Sequence, residues 1–132
     1  MPEFGNSILC EQGFKNTKTE DLITGFQLRV RISYYRGIFL SILDGYEIEV
    51  DGEKFENDKI SFSLDNKHFI PCEELGEHTE ERWEYGDKAY LHIQKAGGLS
   101  RGLHHVKVKQ KIAVPYLPFP TEFYQEKDLT IV

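Results

Sequence analysis

Apolar and polar residues alternate with period two along much of the chain, which is typical of strands that bury one face. In the first such run Phe26, Leu28, Val30 and Ile32 share a face. The clearest runs are 25–33, 46–50, 60–64, 89–94 and 106–114. Together with short apolar runs elsewhere, they predict about seven to eight short strands and no long helix.

Turn signals separate these runs, at Asp51-Gly52, Asp65-Asn66 and Gly97-Gly98. Short strands joined by tight turns bury their apolar faces most simply as two packed sheets. The pattern therefore predicts an all-β fold, an antiparallel β-sandwich, with a barrel as the alternative. Residues 73–81 lack a clear period, so they are expected to form a loop or at most one helical turn.

The length of 132 residues fits a single domain over 1–132, with a core of about 7–118 and an extended C-terminal tail over 119–132. Residues 1–7 and the tail are expected to be loosely held. The tail nevertheless carries Phe119, Phe123 and Tyr124, which favour packing against this domain or a neighbour.

The net charge of −6 argues against nucleic acid, because phosphate binding needs a basic face. No run approaches the roughly 20 apolar residues of a membrane helix, and the N-terminus does not resemble a signal peptide. A cytoplasmic location is therefore expected. Cys10 and Cys72 fit no metal or redox spacing, and free thiols are favoured over a single disulfide.

The sequence predicts no catalytic residues and no bound metal on this chain. The five histidines lack metal-site spacing; they are His68, His78, His92, His104 and His105. A self-sufficient enzyme that uses His92 or His105 is disfavoured for the same reason. His104 shares the parity of inward-facing Val106, so a structural histidine bonded to backbone is expected.

Glu47 and Glu49 face outward from their strand. They are expected to pair with Arg29, Arg31 or the lysines of a neighbouring strand. A charged, solvated face of this kind does not by itself indicate acid–base catalysis.

Tyr34, Tyr35 and Arg36 interrupt the alternating pattern just before Gly37. Tyrosine and arginine dominate many interfaces, because each combines a large planar area with a polar tip. The sequence predicts an interface or a substrate-pocket wall here, while a turn whose tyrosines cap the core is the alternative. Trp83 is either a core tryptophan or a possible interface residue. The tail aromatics Phe119, Phe123 and Tyr124 are further possible interface residues.

Several of these blocks, in this order and spacing, resemble the beta subunit of bacterial C-glycoside deglycosidases. The resemblance covers roughly 13–118 and is carried by Gly25–Ser41, Val50–Glu53, Arg82–Glu84 and Lys95–His104. The first and last blocks are the more specific, since many sandwiches contain a Val-Asp-Gly-Glu hairpin.

The resemblance implies a partner for this chain and a substrate for the complex. The partner is an alpha subunit with a TIM-barrel fold and a divalent metal, expected to be manganese. The substrate is a 3-oxo-C-glucoside of a flavonoid or related phenol, made by an upstream oxidase and cleaved by elimination. Two other functions remain open from the residues alone: a free-standing carbohydrate-binding sandwich and a purely structural, homo-oligomeric one.

Overall fold

The computed structural model describes residues 8–34, 36–114 and 117–132, and these form eleven strands and three short 3₁₀ helices. The strands are β1 (Lys15–Thr19), β2 (Leu22–Val30), β3 (Ile38–Phe39), β4 (Leu43–Val50), β5 (Glu53–Phe55), β6 (Ile60–Ser63), β7 (Ile70–Pro71), β8 (Arg82–Trp83), β9 (Ala89–Gln94), β10 (Gly102–Ile112) and β11 (Thr121–Ile131). The 3₁₀ helices are Leu40–Ile42, Asn57–Lys59 and Cys72–Glu77.

The strands form a five-stranded sheet, a four-stranded sheet and a small two-stranded one. The first has the order β1-β2-β9-β6-β7, the second β11-β10-β4-β5, and the third pairs β3 with β8. Every pairing is antiparallel. Separate sheets agree with the predicted sandwich rather than with the alternative barrel.

A single apolar cluster lies between the two larger sheets. Phe26 of β2 meets Phe55 of β5 edge to face, with ring centroids 5.4 Å apart. The predicted inward faces of β2, β4, β9 and β10 all contribute to this cluster. The prediction of an all-β sandwich is therefore confirmed, although its seven to eight strands were too few.

The C-terminal tail differs most from its predicted form. Instead of lying loosely, it forms β11, which pairs with β10 from Thr121 to Ile131. Leu129 and Ile131 are buried, so the core extends beyond residue 118. The expectation that the tail packs against this domain is confirmed, and the expectation that it is loosely held is wrong.

The turn at Asp51-Gly52 is the predicted hairpin between β4 and β5. Both residues have positive φ, 49° and 92°, as the tight turns that match the twist of a hairpin require. In the described part of the chain, no helix is long and apolar enough to cross a membrane.

Candidate functional site

The segment that carries the predicted site links the two large sheets at one end of the sandwich. This crossover segment, residues 31–42, runs from β2 to β4 and contains β3. The buried amide of Gln110 on β10 anchors its start. Gln110 Nε2 donates to the Arg31 carbonyl (3.0 Å), and Gln110 Oε1 accepts from the Ser33 backbone N–H (2.8 Å). The beginning of the segment is thus fixed against the inner face of the four-stranded sheet.

The predicted residues of the crossover segment have different surroundings. Tyr34 is half-buried and packs against the core, with its ring 6.4 Å from that of Phe123 on β11. Arg36 is exposed. Tyr35 lies outside the described residues. The structure therefore brings Tyr34 and Phe123 together and leaves Arg36 facing solvent.

The two-stranded sheet continues this surface. The Arg82 guanidinium lies over the Phe39 ring, 4.9 Å from its centroid, and Arg82 Nε donates to Glu84 Oε2 at 3.2 Å. Gly37 packs closely against β8. A Cβ at this position would lie 2.9 Å from Arg82 Nη2 and 3.0 Å from the Trp83 carbonyl oxygen. A glycine at this position lets β3 and β8 approach each other.

Trp83 belongs to the core rather than to this surface. Its side chain is fully buried, meets the Phe62 ring edge to face at 5.1 Å, and donates from Nε1 to the Asp87 carbonyl at 2.9 Å. With no exposed area, Trp83 cannot contact a partner directly. Of the two interpretations open from the sequence, the structure favours the core tryptophan.

Two apolar side chains project from the loop between β10 and β11. Leu117 is 47% exposed and Phe119 is 70% exposed. Ile112, where β10 ends, pairs with Leu43 and Thr121, so this loop lies at the same end of the sandwich as the crossover segment. We call this surface the aromatic end; its exposed members are Arg36, Phe39, Leu117 and Phe119.

Tyr124 faces a different direction. It pairs across the strands with Lys109, on the outer face of the four-stranded sheet, and its hydroxyl donates to Glu126. That hydrogen bond raises the pKa of Tyr124 to about 12. Tyr124, predicted as a possible interface residue, therefore lies on a different face from the aromatic end.

The outer face of the four-stranded sheet is a ladder of opposite charges. Lys109 Nζ lies 3.2 Å from Glu47 Oε2, and Lys107 Nζ lies 3.5 Å from Glu49 Oε2. The hydrogen bond from Lys109 lowers the pKa of Glu47. These are the predicted pairings with lysines of a neighbouring strand, and they leave Arg29 and Arg31 outside the ladder.

His104 is the structural histidine that the sequence predicts. It is 6% exposed, and its ring nitrogens contact the Ser100 carbonyl oxygen (2.7 Å) and Asp51 Oδ2 (2.5 Å). Asp51 Oδ1 also accepts from the His105 backbone N–H (2.9 Å). The cluster fixes the β4–β5 turn to the start of β10, at the end of the sandwich opposite the aromatic end.

An open groove of about 1360 Å³ lies at that opposite end. Its lining mixes polar and apolar residues and includes Thr17, Glu53 and Lys95, whose Nζ lies 2.6 Å from Glu53 Oε1. His92 borders the groove, and partial burial lowers its pKa. The aromatic residue among the described lining, Phe55, is buried, so it does not offer a stacking platform.

A metal site needs several thiol, carboxylate or imidazole groups close together. Within 8–34, 36–114 and 117–132, no group of three or more His, Cys, Asp or Glu side chains is arranged to hold an ion. Cys10 and Cys72 have free thiols, as the sequence favours. Both are buried, and burial raises the pKa of Cys72 to about 12.

Sequence reasoning missed three residues of this region. Gln110 has the parity of inward-facing apolar residues, and a polar side chain at such a position is the signal that could have identified it. Phe39 and Leu117 lack such a signal, because their exposure depends on how short, irregular segments pack.

Comparison with known proteins identifies the family. A family model described as C-glycoside deglycosidase beta subunit matches residues 4–116. The C-glycoside deglycosidase beta subunit of Eubacterium cellulosolvens is 35% identical over 112 residues, which cover 84% of this chain and 76% of that protein. The protein of the same name from Arthrobacter globiformis is 31% identical over 90 residues, or 68% of each chain.

A third relative carries a related name. The 3'-dehydrocarminate deglycosidase beta subunit of a Microbacterium species is 25% identical over 95 residues, which cover 72% of this chain and 70% of that protein. The sequence resemblance is thus confirmed by a family model and by curated relatives. This chain belongs to the family of C-glycoside deglycosidase beta subunits.

Proposed function

We propose that this chain is the non-catalytic beta subunit of a complex that cleaves the carbon–carbon glycosidic bond of 3-oxo-C-glucosides of flavonoids. The observation that carries the proposal is the family match over residues 4–116. The relatives share the description beta subunit, which implies a companion subunit in a deglycosidase complex.

The chemistry explains why such a complex needs more than a pair of carboxylates. A C-glycosidic bond has no bridging oxygen to protonate, so the usual acid catalysis of glycosidases does not apply. In a 3-oxo sugar the ketone acidifies the proton on C2, and a general base can remove it. The electron pair then forms the C1–C2 double bond, the C1–aryl bond breaks, and the aryl carbon takes up a proton.

We assign the base and a divalent metal, expected to be manganese, to the alpha subunit, expected to be a TIM barrel. A metal ion there would stabilise the negative charge that develops on the ketone oxygen. The role proposed for the present chain is to support that barrel and to close one wall of its substrate pocket. The wall would include Tyr34, Tyr35 and Arg36.

The aromatic end is the surface proposed to contact the alpha subunit. Phe39, Leu117 and Phe119 are exposed there beside Arg36, and large apolar groups around an arginine are typical of interfaces. The Gln110 anchor holds the adjoining backbone in place, so little conformational entropy would be lost on binding.

A double substitution tests this assignment. Arg36→Ala/Phe119→Ala removes two exposed side chains and is expected to weaken association with the alpha subunit at least about tenfold, since truncating an interface anchor costs more than 1 kcal/mol. Light scattering of the co-purified complex would measure the association, and cleavage of a 3-oxo-C-glucoside would measure the activity.

A matched control is available at the opposite end. Lys18→Ala/Leu22→Ala also removes one cation and one exposed apolar side chain, and Leu22 is 73% exposed. Association and turnover of this control should equal those of the unmodified chain. Equal association of both double variants would rule out the aromatic end as the contact.

The open groove gives the carbohydrate-binding alternative a specific location. If the chain were a free-standing glycan-binding module, the purified chain would bind oligosaccharides without a partner, and signals from the groove would shift during a titration. The proposed function predicts no saturable glycan binding by the chain alone.

A further inference from the structure

A second concave site lies beside the end of β2, between the five-stranded sheet and Lys127 of β11. It is a pocket of about 320 Å³ between residues 9–12, the end of β2 and the residue that precedes β9. Small-molecule sites begin at roughly 300 Å³, so the volume suits a compact ligand. Four cations line it, namely Arg29, Arg31, Lys88 and Lys127, together with the carboxylate of Glu11.

The charge of this pocket is opposite to that of the whole protein. The chain has a net charge of −6, yet the pocket lining carries a net charge of +3. In the described part of the chain only Lys127 among the four has a carboxylate partner, with its Nζ 3.2 Å from Glu11 Oε1. Concentrated like charges in a concavity attract counter-ions.

The strand register explains why the cations converge. Arg29 and Arg31 are two residues apart, so they project from the same face of the sheet. Val30 pairs with Ala89, which places Lys88 next to Arg31 on the neighbouring chain segment. The bridge from Leu9 to Val30 closes the other side of the pocket.

Arg29 is held in one position before any ligand arrives. Its guanidinium lies 4.0 Å from the centroid of the Tyr90 ring, and its Nη2 donates to the Lys88 carbonyl at 3.1 Å. Gly13 has a φ of 86°, and a Cβ there would lie 2.2 Å from Arg29 Cγ, so only a glycine leaves room for the arginine. Arg29 Nε is buried and has no hydrogen-bond partner among the described residues.

We propose that this pocket binds a small polyvalent oxyanion, such as a phosphate or a polycarboxylate. The planar guanidinium groups of Arg29 and Arg31 suit the geometry of both anion types, and Lys88 adds an ammonium group. Arg29 binds through guanidinium N–H groups that do not donate to the Lys88 carbonyl. The pocket is not part of the aromatic end, and the proposal does not depend on the alpha subunit.

Nuclear magnetic resonance of the purified full-length chain tests the proposal, because the Arg29 Nε–H gives its own signal. Inorganic phosphate, and separately citrate, would be titrated at constant ionic strength, with chloride as the reference ion. A saturable shift of the Arg29 signal with either probe supports the site. A linear shift that chloride reproduces would overturn it.

Substitution of two lining cations, the half-buried Arg31 and the exposed Lys88, provides a second readout. Arg31→Gln/Lys88→Gln should weaken phosphate or citrate binding at least about tenfold, since each charge-assisted hydrogen bond contributes that much. Lys18→Gln/Lys67→Gln makes the same change in net charge at exposed positions elsewhere, and should leave the affinity unchanged within about twofold. Equal affinities of the two double variants would contradict the assignment. Circular dichroism would establish that both variants are folded.

Discussion

Gln110 and His104 are buried polar side chains at opposite ends of the sandwich, and each stabilises the end at which it lies. Each lies on the inward-facing side of β10, where the alternation would place an apolar residue. A buried polar group is tolerated only if its hydrogen bonds are made, and both residues meet that condition. The parity of β10 is readable from the sequence, and it led to the prediction for His104. The partners of Gln110 are distant in sequence, and no local pattern indicates them.

Replacing Gln110 tests the anchor of the crossover segment. Gln110→Leu keeps the approximate volume but leaves the Ser33 N–H, the Arg31 carbonyl and the Tyr46 hydroxyl without this partner. The free energy of unfolding is expected to fall by about 3 kcal/mol, because each of the three lost hydrogen bonds contributes about 1 kcal/mol. Urea denaturation measures it, and a loss below about 1 kcal/mol would contradict the anchor. Gln94→Leu, at an exposed position, is the control.

His104 predicts a dependence of stability on pH. Burial opposes its protonation, but the contacts with the Ser100 carbonyl and the Asp51 carboxylate outweigh burial and raise the pKa of His104 above the ordinary value. Because folding raises the pKa of His104, the protonated ring stabilises the folded state. This contribution is complete at pH values below the unfolded-state pKa of about 6.5. This contribution is lost as the pH rises through the folded-state pKa.

The measurement is an imidazole titration by nuclear magnetic resonance, combined with unfolding at pH 6 and pH 8. The folded-state pKa of His104 should lie above 6.5, and His104→Gln should reduce the loss of stability between the two pH values. A pKa of His104 at or below 6.5 would show that the Asp51 and Ser100 contacts do not hold the charged ring.

At the scale of elements, the strands with regular alternation were predicted, whereas β1 and β11 were not. β11 places Gln125 and Lys127 on the face that also carries Leu129 and Ile131. Gln125 Oε1 accepts from the backbone N–H groups of Ile8 and Leu9 (3.0 and 2.7 Å), so its polarity serves a contact distant in sequence. Such a strand resembles a polar tail until its partners are known.

β1 was missed for a related reason. Its sequence, Lys-Asn-Thr-Lys-Thr, has no apolar residue, so it shows no alternation. It is an edge strand of the five-stranded sheet, and polar edge strands protect a sheet against aggregation. The hairpin to β2 turns at Glu20, which has a φ of 58° without being a glycine. The turn therefore carries no glycine that would have indicated it.

The structural role of β11 can be tested at Leu129. Leu129→Ala removes a buried side chain from the core and is expected to lower the free energy of unfolding by about 2–5 kcal/mol. Leu103→Ala, on the neighbouring strand at a position that is 67% exposed, should change it by less than about 0.5 kcal/mol. Denaturant unfolding compares the two variants. Similar small losses would mean that β11 adds little to the core.

At the scale of the whole molecule, the sandwich has two chemically different ends. The aromatic end exposes apolar side chains beside Arg36, whereas the other end carries the open groove and the charged His104 cluster. Sequence reasoning located Tyr34 and Arg36 because they interrupt a regular pattern. It did not place Phe39 or Leu117 with them, since the surface is assembled from three segments whose proximity depends on the folded chain.

The central claim is that this chain acts as a subunit whose activity depends on a companion. Turnover of a 3-oxo-C-glucoside should be measured with the purified chain alone, with the proposed alpha subunit alone, and with the two together. The account predicts no cleavage by this chain alone, and faster cleavage by the pair than by the alpha subunit alone. Cleavage by this chain alone would contradict the account, and so would a cleavage rate of the alpha subunit that does not change when this chain is added.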